Sequence, residues 1–349
     1  MVIIIKKVII LLSILIVSCF LSIDNKCYAS FSDSSRSSIV MNMDDNMVLY
    51  EKNSHERLLP ASITKIMTCI IAIEYGKLDD YYLVTNDVSL VTGSSIYLKS
   101  GEKIKLIDAL YGMMLRSGND AAYFVSKCVS NKQSDFVYLM NSKAKELNMH
   151  NTFFKNPTGL DEEDENYSSA HDMAVLMSYA MKNKTFRKIV SSKHYNCSYE
   201  SGNNLSFANK HKLVLNNEYV TGGKTGYTKK AKRTLVTTFK KDDINIVTVT
   251  FDCSDDWSLH ESLFDYVINN YSNVILLKKG IIDLNNVNYP FTPIIYEDVS
   301  YLIKEKDKLT CNVELSNKIL NDNIIGICKV YVNKHLVKEV KIYRYYWWI

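Results

Sequence analysis

A serine and a lysine three residues apart open an apolar stretch of the chain. In PASITKIMTCIIAIEY, residues 60–75, Lys65 follows Ser62 and precedes an almost unbroken apolar run. Positions i and i+3 of a helix are neighbours, so we expect the Lys65 amine within reach of the Ser62 hydroxyl. A serine hydroxyl needs a nearby base to act as a nucleophile at neutral pH. The pattern predicts a nucleophile with its base or, alternatively, a helix cap beside a solvent-facing lysine.

Two more short motifs supply the other groups that such chemistry needs. Ser-Gly-Asn at residues 117–119 interrupts a helical stretch, and Lys-Thr-Gly at residues 224–226 begins a strand of edge type. Burial and a second cation both favour a neutral lysine, and Lys224 is the cation expected beside Lys65. Ser117 is expected to pass the proton to the leaving amine. Asn119 is expected to hold an amide of the substrate, and backbone N–H groups the developing oxyanion.

Each motif taken alone is weak, because each short pattern is common. Ser-x-x-Lys also occurs at Ser100/Lys103 and at Ser142/Lys145, and Ser-Gly-Asn recurs at residues 201–203 in a polar stretch. The information lies in the order of the three motifs and in their separations of 55 and 107 residues.

The ordered set resembles the motifs of penicillin-binding proteins and class A β-lactamases. PASITKIMT, GMMLRSGNDAA, MNSKAKELNM, NTFFKNPTGLDEEDENYSSAHDMAVLM and GGKTGYTKKAKRTLV look like successive blocks of the low-molecular-mass D-alanyl-D-alanine carboxypeptidases. This resemblance covers roughly residues 35–272. It implies a β-lactamase/transpeptidase-like catalytic domain followed by a β-rich stalk.

The resemblance also implies a role for each motif residue. It makes Ser62 the acylated serine, Lys65 its base and Ser117 the third catalytic residue. The N–H groups of Ser62 and Tyr227 would form the oxyanion hole, and Thr225 would contact the terminal carboxylate of the substrate. The residues implied in substrate binding are Asn119, Lys224, Thr225, Gly226 and Tyr227.

The chain departs from the family pattern in two places. Many members have a glycine where this chain has Lys232, just before Arg233. Many also have an arginine shortly before the last helix, where it helps to bind the terminal carboxylate. This chain has CSDDWSLHESLFDY there, with Asp256 and Trp257 and no arginine. The Asp-Asp-Trp pattern with a following histidine resembles a variant of some spore-forming bacteria, which suggests a role in spore peptidoglycan.

Three functions are compatible with these residues. The first is a serine-type D,D-carboxypeptidase that removes the terminal D-alanine of peptidoglycan stem peptides and is acylated by β-lactam antibiotics. The second is a serine β-lactamase, but no E-x-x-L-N-like segment lies between the second and third motifs to activate the deacylating water. The third is a wall-binding or scaffold protein on the same fold, which the intact motifs disfavour.

The chain is predicted to be exported. The segment MVIIIKKVIILLSILIVSCFLSIDNKCYAS combines lysines, an apolar run and a small-residue end, as in a signal peptide over residues 1–29. Lipid attachment at Cys19 and an uncleaved anchor are the alternatives. The expected location is the cell wall or the outer face of the cytoplasmic membrane. The aromatic end YRYYWWI, residues 343–349, suits a membrane interface or the edge of a last strand.

The fold class is predicted as α+β with three layers, an antiparallel sheet flanked by helices, and a small C-terminal all-β domain. Helical and strand-like runs are mixed in the predicted catalytic domain, residues 30–274, and short alternating segments dominate residues 275–349. A hairpin is expected in residues 37–53, and two long strands in residues 219–254 that meet near Asp242.

Charge and composition exclude several other classes. Losing residues 1–29, with three lysines and one aspartate, would lower the net charge from +4 to +2, too little for a nucleic-acid partner. The cysteines are scattered and no metal-binding histidine pattern occurs, so we expect neither metal nor cofactor. Cys69 is expected in the core and His171 at a helix start, and His211 in a solvated loop or, alternatively, along the groove.

Overall fold

Runs of strands and runs of helices make up the part of the chain that the computed structural model describes, residues 32–161, 165–283, 289–316, 318–319 and 321–346. The strands are β1 (Ser37–Asn42), β2 (Val48–Lys52), β3 (Tyr81–Leu83), β4 (Lys103–Lys105), β5 (His194–Ser198), β6 (Asn204–Ala208), β7 (Val220–Thr228), β8 (Lys232–Lys241), β9 (Ile244–Phe251), β10 (Tyr271–Leu277), β11 (Gly280–Ile281), β12 (Pro293–Ile295), β13 (Val299–Lys304), β14 (Leu309–Leu315), β15 (Ile324–Val332) and β16 (His335–Arg344). The α-helices are α1 (Lys65–Tyr75), α2 (Leu106–Arg116), α3 (Asn119–Val129), α4 (Gln133–Glu146), α5 (Ala170–Ala180), α6 (Lys184–Ser191), α7 (Lys212–Asn216) and α8 (Asp256–Asn270).

The principal sheet is antiparallel, with the strand order β2-β1-β9-β8-β7. Alternate residues of a strand point to opposite faces, and β8 shows this clearly. Val236 faces a large apolar core that contains α1, α2, α3 and α5, whereas Thr237 and Phe239 face α8. The sheet is therefore a middle layer between helices. Together with the C-terminal strands β10–β16, this arrangement confirms the predicted fold class.

The strand prediction for residues 219–254 was wrong in one respect. The hairpin near Asp242 joins β8 to β9, but the first predicted strand is split into β7 and β8 by a second turn. Thr228 explains that turn, because its hydroxyl accepts a hydrogen bond from the Ala231 N–H at 2.9 Å and lets the chain reverse. Lys232 then adopts a φ of +60°. As predicted, β7 lies at an edge of the sheet, and the hairpin in residues 37–53 is formed by β1 and β2.

The helix that begins at Lys65 runs through the middle of the core. Every residue from Lys65 to Ala72 is buried, including Cys69 as predicted. A helix that is apolar on all sides gains most when it is surrounded by other elements. The site on its first turn consequently stands on a rigid support.

Most other helix predictions agree with the structure. The helical stretch in residues 101–129 is broken at Ser117, and α2 and α3 lie on either side of the break. The α5 helix has Ser169 as its N-cap, whose hydroxyl accepts a hydrogen bond from the Asp172 N–H at 3.1 Å. Asp172 lies in the first turn of the helix, as expected for the segment that begins near His171.

The C-terminal strands form two further antiparallel sheets, one of β10 and β13 and one in the order β11-β12-β16-β15-β14. They enclose a second apolar core that includes Val299, Ile325, Cys328 and Ile342. The strand β10 extends across residue 275, so the predicted boundary between the two domains falls inside an element. The boundary remains a prediction.

Some sequence predictions fall on residues that the structure does not describe. The signal peptide over residues 1–29, with Cys19, and the last three aromatic and apolar residues 347–349 are among them. Tyr343 and Arg344 are the last residues of β16, which is an interior strand and not an edge. Within the described ranges, no helix combines the length and the apolar character needed to cross a bilayer.

Two histidines are buried between the principal sheet and α8, and one of them corrects a prediction. His211 was expected in a solvated loop, but it is 1% exposed and caps α7 by accepting a hydrogen bond from the Val214 N–H at 3.3 Å. Its Nε2 lies 3.1 Å from the Val236 carbonyl. His260 bridges Thr237 and Thr250 at 2.8 and 3.0 Å. Burial lowers the pKa of both imidazoles, that of His211 to about 4.

We expect the free energy of unfolding to fall as the pH is lowered from 7 to 5. His211 in the unfolded chain binds a proton near its ordinary pKa of 6.5, whereas the folded chain resists protonation down to about 4. The unfolded state therefore gains protons first, and His211 alone accounts for a loss of about 2 kcal/mol over this range. Urea unfolding of the parent and of His211→Asn, which keeps a capping acceptor, measures this. The variant should lose about 2 kcal/mol less than the parent, and equal losses would contradict the account.

Candidate active site

Ser62 and Lys65 face each other at the start of the central helix. Ser62 lies in a 3-10 helix, Ala61–Thr64, that leads directly into α1, and its Oγ is 2.9 Å from the Lys65 Nζ. The amine also donates hydrogen bonds to the Asn119 Oδ1 at 2.7 Å and to the Thr158 carbonyl at 2.5 Å. These two acceptors use both N–H bonds of a neutral amine. Its lone pair is then directed to the Ser62 hydroxyl, which is the geometry of a base and its nucleophile.

The electrostatics of the site favour the neutral form of Lys65. Burial lowers the pKa of Lys65 well below its ordinary value, and the nearby cation Lys224 lowers it further. Lys224 is itself buried, with its pKa lowered to about 7, first by burial and then by Lys210. Asp120 acts in the opposite direction on Lys65, but it is outweighed. Two buried amines close together cannot both carry a full charge at low cost.

Lys224 contacts the second motif, as expected. Its Nζ donates hydrogen bonds to the Ser117 Oγ at 3.0 Å and to the Thr225 carbonyl at 2.7 Å. Ser117 ends α2 in a left-handed conformation, with φ 64° and ψ 30°. Such a conformation costs a non-glycine residue about 1 kcal/mol and occurs where the surrounding structure imposes it. Here it directs a hydroxyl into the site between the two helices.

Close approach of β7 to the nucleophile explains the glycine of the third motif. A Cβ on Gly226 would lie 2.3 Å from the Thr234 Oγ1 and 3.0 Å from the Ser62 backbone nitrogen. The Thr234 hydroxyl donates to the Pro60 carbonyl at 2.9 Å, which fastens the chain before Ser62 to β8. First-turn N–H groups have no acceptor within their own helix, so the Ser62 N–H is available at this strand. Tyr227 follows Gly226 on β7.

The residue before the nucleophile is held in a strained conformation. Ala61 has a φ of +49°, and its carbonyl packs on Gly159, where a Cβ would lie 1.9 Å from that oxygen. Gly159 has a φ of +84°, so two constraints require glycine there. This contact fixes the turn that presents the Ser62 hydroxyl.

Residues 92–96, which the sequence analysis did not single out, close the other side of the site. The Asn119 side chain donates to the Thr92 carbonyl at 2.8 Å, and its backbone N–H to the Ser94 carbonyl at 2.6 Å. Asp120 accepts hydrogen bonds from the Ser95 hydroxyl and from the backbone of Ile96. The adjacent Asn119 and Asp120 were the sequence signal for this segment, because buried polar side chains must find hydrogen-bond partners.

These residues border a cavity of about 490 Å³. Its lining comprises Ser62, Ser94, Ser117, Lys210, Thr225, Gly226, Tyr227, Arg233, Thr234, Asp256 and Trp257. Of the predicted set, Lys65 and Lys224 lie behind this lining and touch it through Ser62 and Ser117. Asn119 also lies behind it, so its contact with a substrate amide remains a prediction. A larger cavity of about 630 Å³, lined by Tyr81, Lys105 and Tyr195, contains none of the motif residues.

The geometry defines a Ser-x-x-Lys acyltransferase site, and comparison with known proteins agrees. The model of the peptidase S11 family, described as D-alanyl-D-alanine carboxypeptidase, matches residues 26–255. The chain is 34% identical to the D-alanyl-D-alanine carboxypeptidase DacF of Bacillus subtilis, over 75% of this chain and 69% of DacF. It is 31% identical to DacC of Escherichia coli, over 63% of this chain and 57% of DacC.

A solved structure extends the likeness to the whole fold. Penicillin binding protein 5 from Haemophilus influenzae matches with a TM-score of 0.76, over 90% of this chain and 98% of that chain, at 20% identity. The chain therefore belongs to the D-alanyl-D-alanine carboxypeptidase family of serine peptidases. The family and the enzyme class predicted from the three motifs are confirmed.

Two substitutions of Ser117 should differ in unfolding stability but share the same loss of acylation. Glycine removes the hydroxyl and relieves the left-handed strain, whereas alanine removes the hydroxyl and keeps the strain. We expect Ser117→Gly to be about 1 kcal/mol more stable to urea than Ser117→Ala. Both variants should acylate slowly with benzylpenicillin, as measured by intact mass. Normal acylation of either variant would contradict the role of the hydroxyl, and equal stabilities would contradict the strain.

Proposed function

We propose that this chain is a serine-type carboxypeptidase that releases the terminal D-alanine of peptidoglycan stem peptides ending in D-Ala-D-Ala. The single observation that carries the proposal is the contact between the Ser62 hydroxyl and the Lys65 amine, which lie 2.9 Å apart. This amine is buried, and burial lowers its pKa, so its neutral form is favoured. A β-lactam amide would acylate the same hydroxyl, since it offers a similar carbonyl. The relatives support the choice of substrate, because DacF and DacC are named for this activity.

In the acylation step the Ser62 oxygen attacks the carbonyl carbon of the penultimate D-alanine. Lys65 takes the hydroxyl proton as the C–O bond forms, and the oxyanion is held by the N–H groups of Ser62 and Tyr227. Ser117 donates its hydroxyl proton to the nitrogen of the departing D-alanine as the C–N bond breaks, and the proton held by Lys65 passes to the Ser117 oxygen, so that Lys65 is neutral again before deacylation. Lys224, 3.0 Å from the Ser117 Oγ, supplies positive potential at that hydroxyl.

In the deacylation step a water molecule attacks the ester carbonyl on Ser62. Lys65 accepts a proton from the water, and the Ser62 oxygen leaves and regains a proton, which returns the enzyme to its starting state. Glu165, which lies between the second and third motifs in the sequence, is engaged by the Lys230 Nζ at 2.8 Å and by the Tyr167 hydroxyl at 2.5 Å. That pairing supports Lys65 as the base of both steps and argues against a lactamase-like glutamate at position 165.

The wider arrangement belongs to the proposal as well. We assign residues 30–274 to the catalytic domain and residues 275–349 to a β-rich domain that holds it at its substrate. Export through residues 1–29 would bring the enzyme to the cell wall or the outer face of the membrane, in peripheral contact with the bilayer. A role in spore peptidoglycan stays a prediction from the Asp-Asp-Trp pattern.

Intact-mass measurement with benzylpenicillin and an assay of D-alanine release test the proposal together. The parent should form a long-lived adduct on Ser62 and release D-alanine from a D-Ala-D-Ala peptide. Ser62→Ala and Lys65→Ala should each lose both reactions, by about 10³-fold or more, while keeping the parent's unfolding temperature within a few degrees. Ser142→Ala and Lys145→Ala, the exposed Ser-x-x-Lys pair on α4, serve as matched controls. Rapid turnover of the antibiotic would indicate a lactamase instead, and no adduct would indicate a scaffold.

A further inference from the structure

We infer that Arg233, held by Asp256 and Trp257, binds the terminal carboxylate of the substrate in this enzyme. The inference rests on the proposed function, because only a carboxypeptidase substrate must present a free carboxylate beyond the bond that is cut. All three side chains border the same cavity as Ser62. They stand where the chain departs from the family pattern described in the sequence analysis, with no arginine before α8 and a lysine at position 232.

Arg233 lies at the right place along the strands. It is paired in register with Tyr227, two residues beyond Thr225 on β7. Side chains that lie opposite or diagonally across neighbouring strands are within about 8 Å of one another. A carboxylate bound at the Thr225 hydroxyl would consequently lie within reach of the long Arg233 side chain.

The guanidinium has unused donors in the cavity. Its Nη2 donates to the Asp256 Oδ1 at 2.5 Å, but its Nε is buried and has no hydrogen-bond partner among the described residues. The side chain is nevertheless 41% exposed, so N–H groups that Asp256 does not use are open to a ligand oxygen. The fork of N–H groups matches the two oxygens of a carboxylate.

Asp256 and Trp257 act as positioning residues. Asp256 is only 3% exposed and fixes one edge of the guanidinium, while the Trp257 ring lies 5.6 Å from its central carbon. The indole in turn packs against the buried His211 ring at 5.1 Å. An arginine held in one orientation loses little freedom on binding, so the site is ready for an anion before the substrate arrives.

Lys210 is the other cation of the lining and is less suited to this task. It is exposed, and partial desolvation of its amine and the nearby Arg116 both lower its pKa. Its backbone N–H donates to the Leu115 carbonyl at 3.0 Å, so it lies beside the end of α2 that carries Ser117. Arg233 is paired with Tyr227, directly after the Lys-Thr-Gly motif on β7, and arginine keeps its charge at every working pH.

The test compares kcat/KM for a peptide ending in D-Ala-D-Ala with that for the same peptide as its C-terminal amide, using the full chain. The parent should prefer the acid, and Arg233→Gln should lower the acid rate by about 10- to 100-fold while leaving the amide rate unchanged. Arg233→Lys should recover part of the loss. Asp256→Asn should raise KM for the acid with little change in kcat. Lys229→Gln, which removes an exposed charge from the β7–β8 turn, should behave like the parent.

Each outcome is decisive. The inference is overturned if Arg233→Gln keeps the parent's preference for the acid, or if Lys210→Gln loses that preference instead. It is also overturned if acid and amide rates fall equally, because that pattern indicates a damaged site. Adduct formation on Ser62 with benzylpenicillin is measured in parallel. A parent without an adduct would reject the proposed function itself, whereas a parent with an adduct restricts the failure to Arg233.

Discussion

The burial of the Lys65 amine is the constraint on which the site depends. The side chain is fully enclosed, and a charged ammonium without an anionic partner would cost several kcal/mol there. Among the described residues it contacts two neutral acceptors and a hydroxyl and forms no ion pair with a carboxylate, and Lys224 adds a repulsive charge nearby. In the proposed mechanism, the same environment that penalises the ammonium makes the amine a base for Ser62.

Other features of the fold hold that environment in place. The apolar helix α1 carries Lys65 into the core, and the edge strand β7 brings Lys224 to Ser117 from the opposite side. Glycines at 159 and 226 permit backbone approaches that any Cβ would block. Ala61 and Ser117 accept left-handed conformations that the surrounding contacts impose. These strained positions cluster at the nucleophile, which is where stability is commonly exchanged for preorganisation.

The sequence predicted those parts of the site that depend on spacing. Three residues along a helix bring Lys65 to Ser62, a break between two helices exposes Ser117, and an edge strand carries Lys224. The Thr158 carbonyl could not be foreseen, because backbone acceptors leave no trace in residue type.

Other errors have equally physical causes. His211 was misjudged since its polar neighbours in sequence suggested solvent, whereas α7 and β8 supply its partners from elsewhere in the fold. The missing arginine before α8 was visible in the sequence. The inference that Arg233 takes the place of that arginine required the strand register and the contact between Arg233 and Asp256.

The protonation state of Lys65 can be measured directly by NMR on protein labelled with lysine carrying ¹³C at Cε, whose chemical shift follows the charge of the amine. The Lys65 resonance is the one absent from Lys65→Met, a variant that fills the same space without a titratable group. The account predicts that this resonance stays in its neutral position at pH 7 and titrates well below the ordinary pKa of 10.5. A resonance that remains charged at pH 7 and titrates near 10.5 would contradict the claim that Ser62 is activated by an uncharged amine.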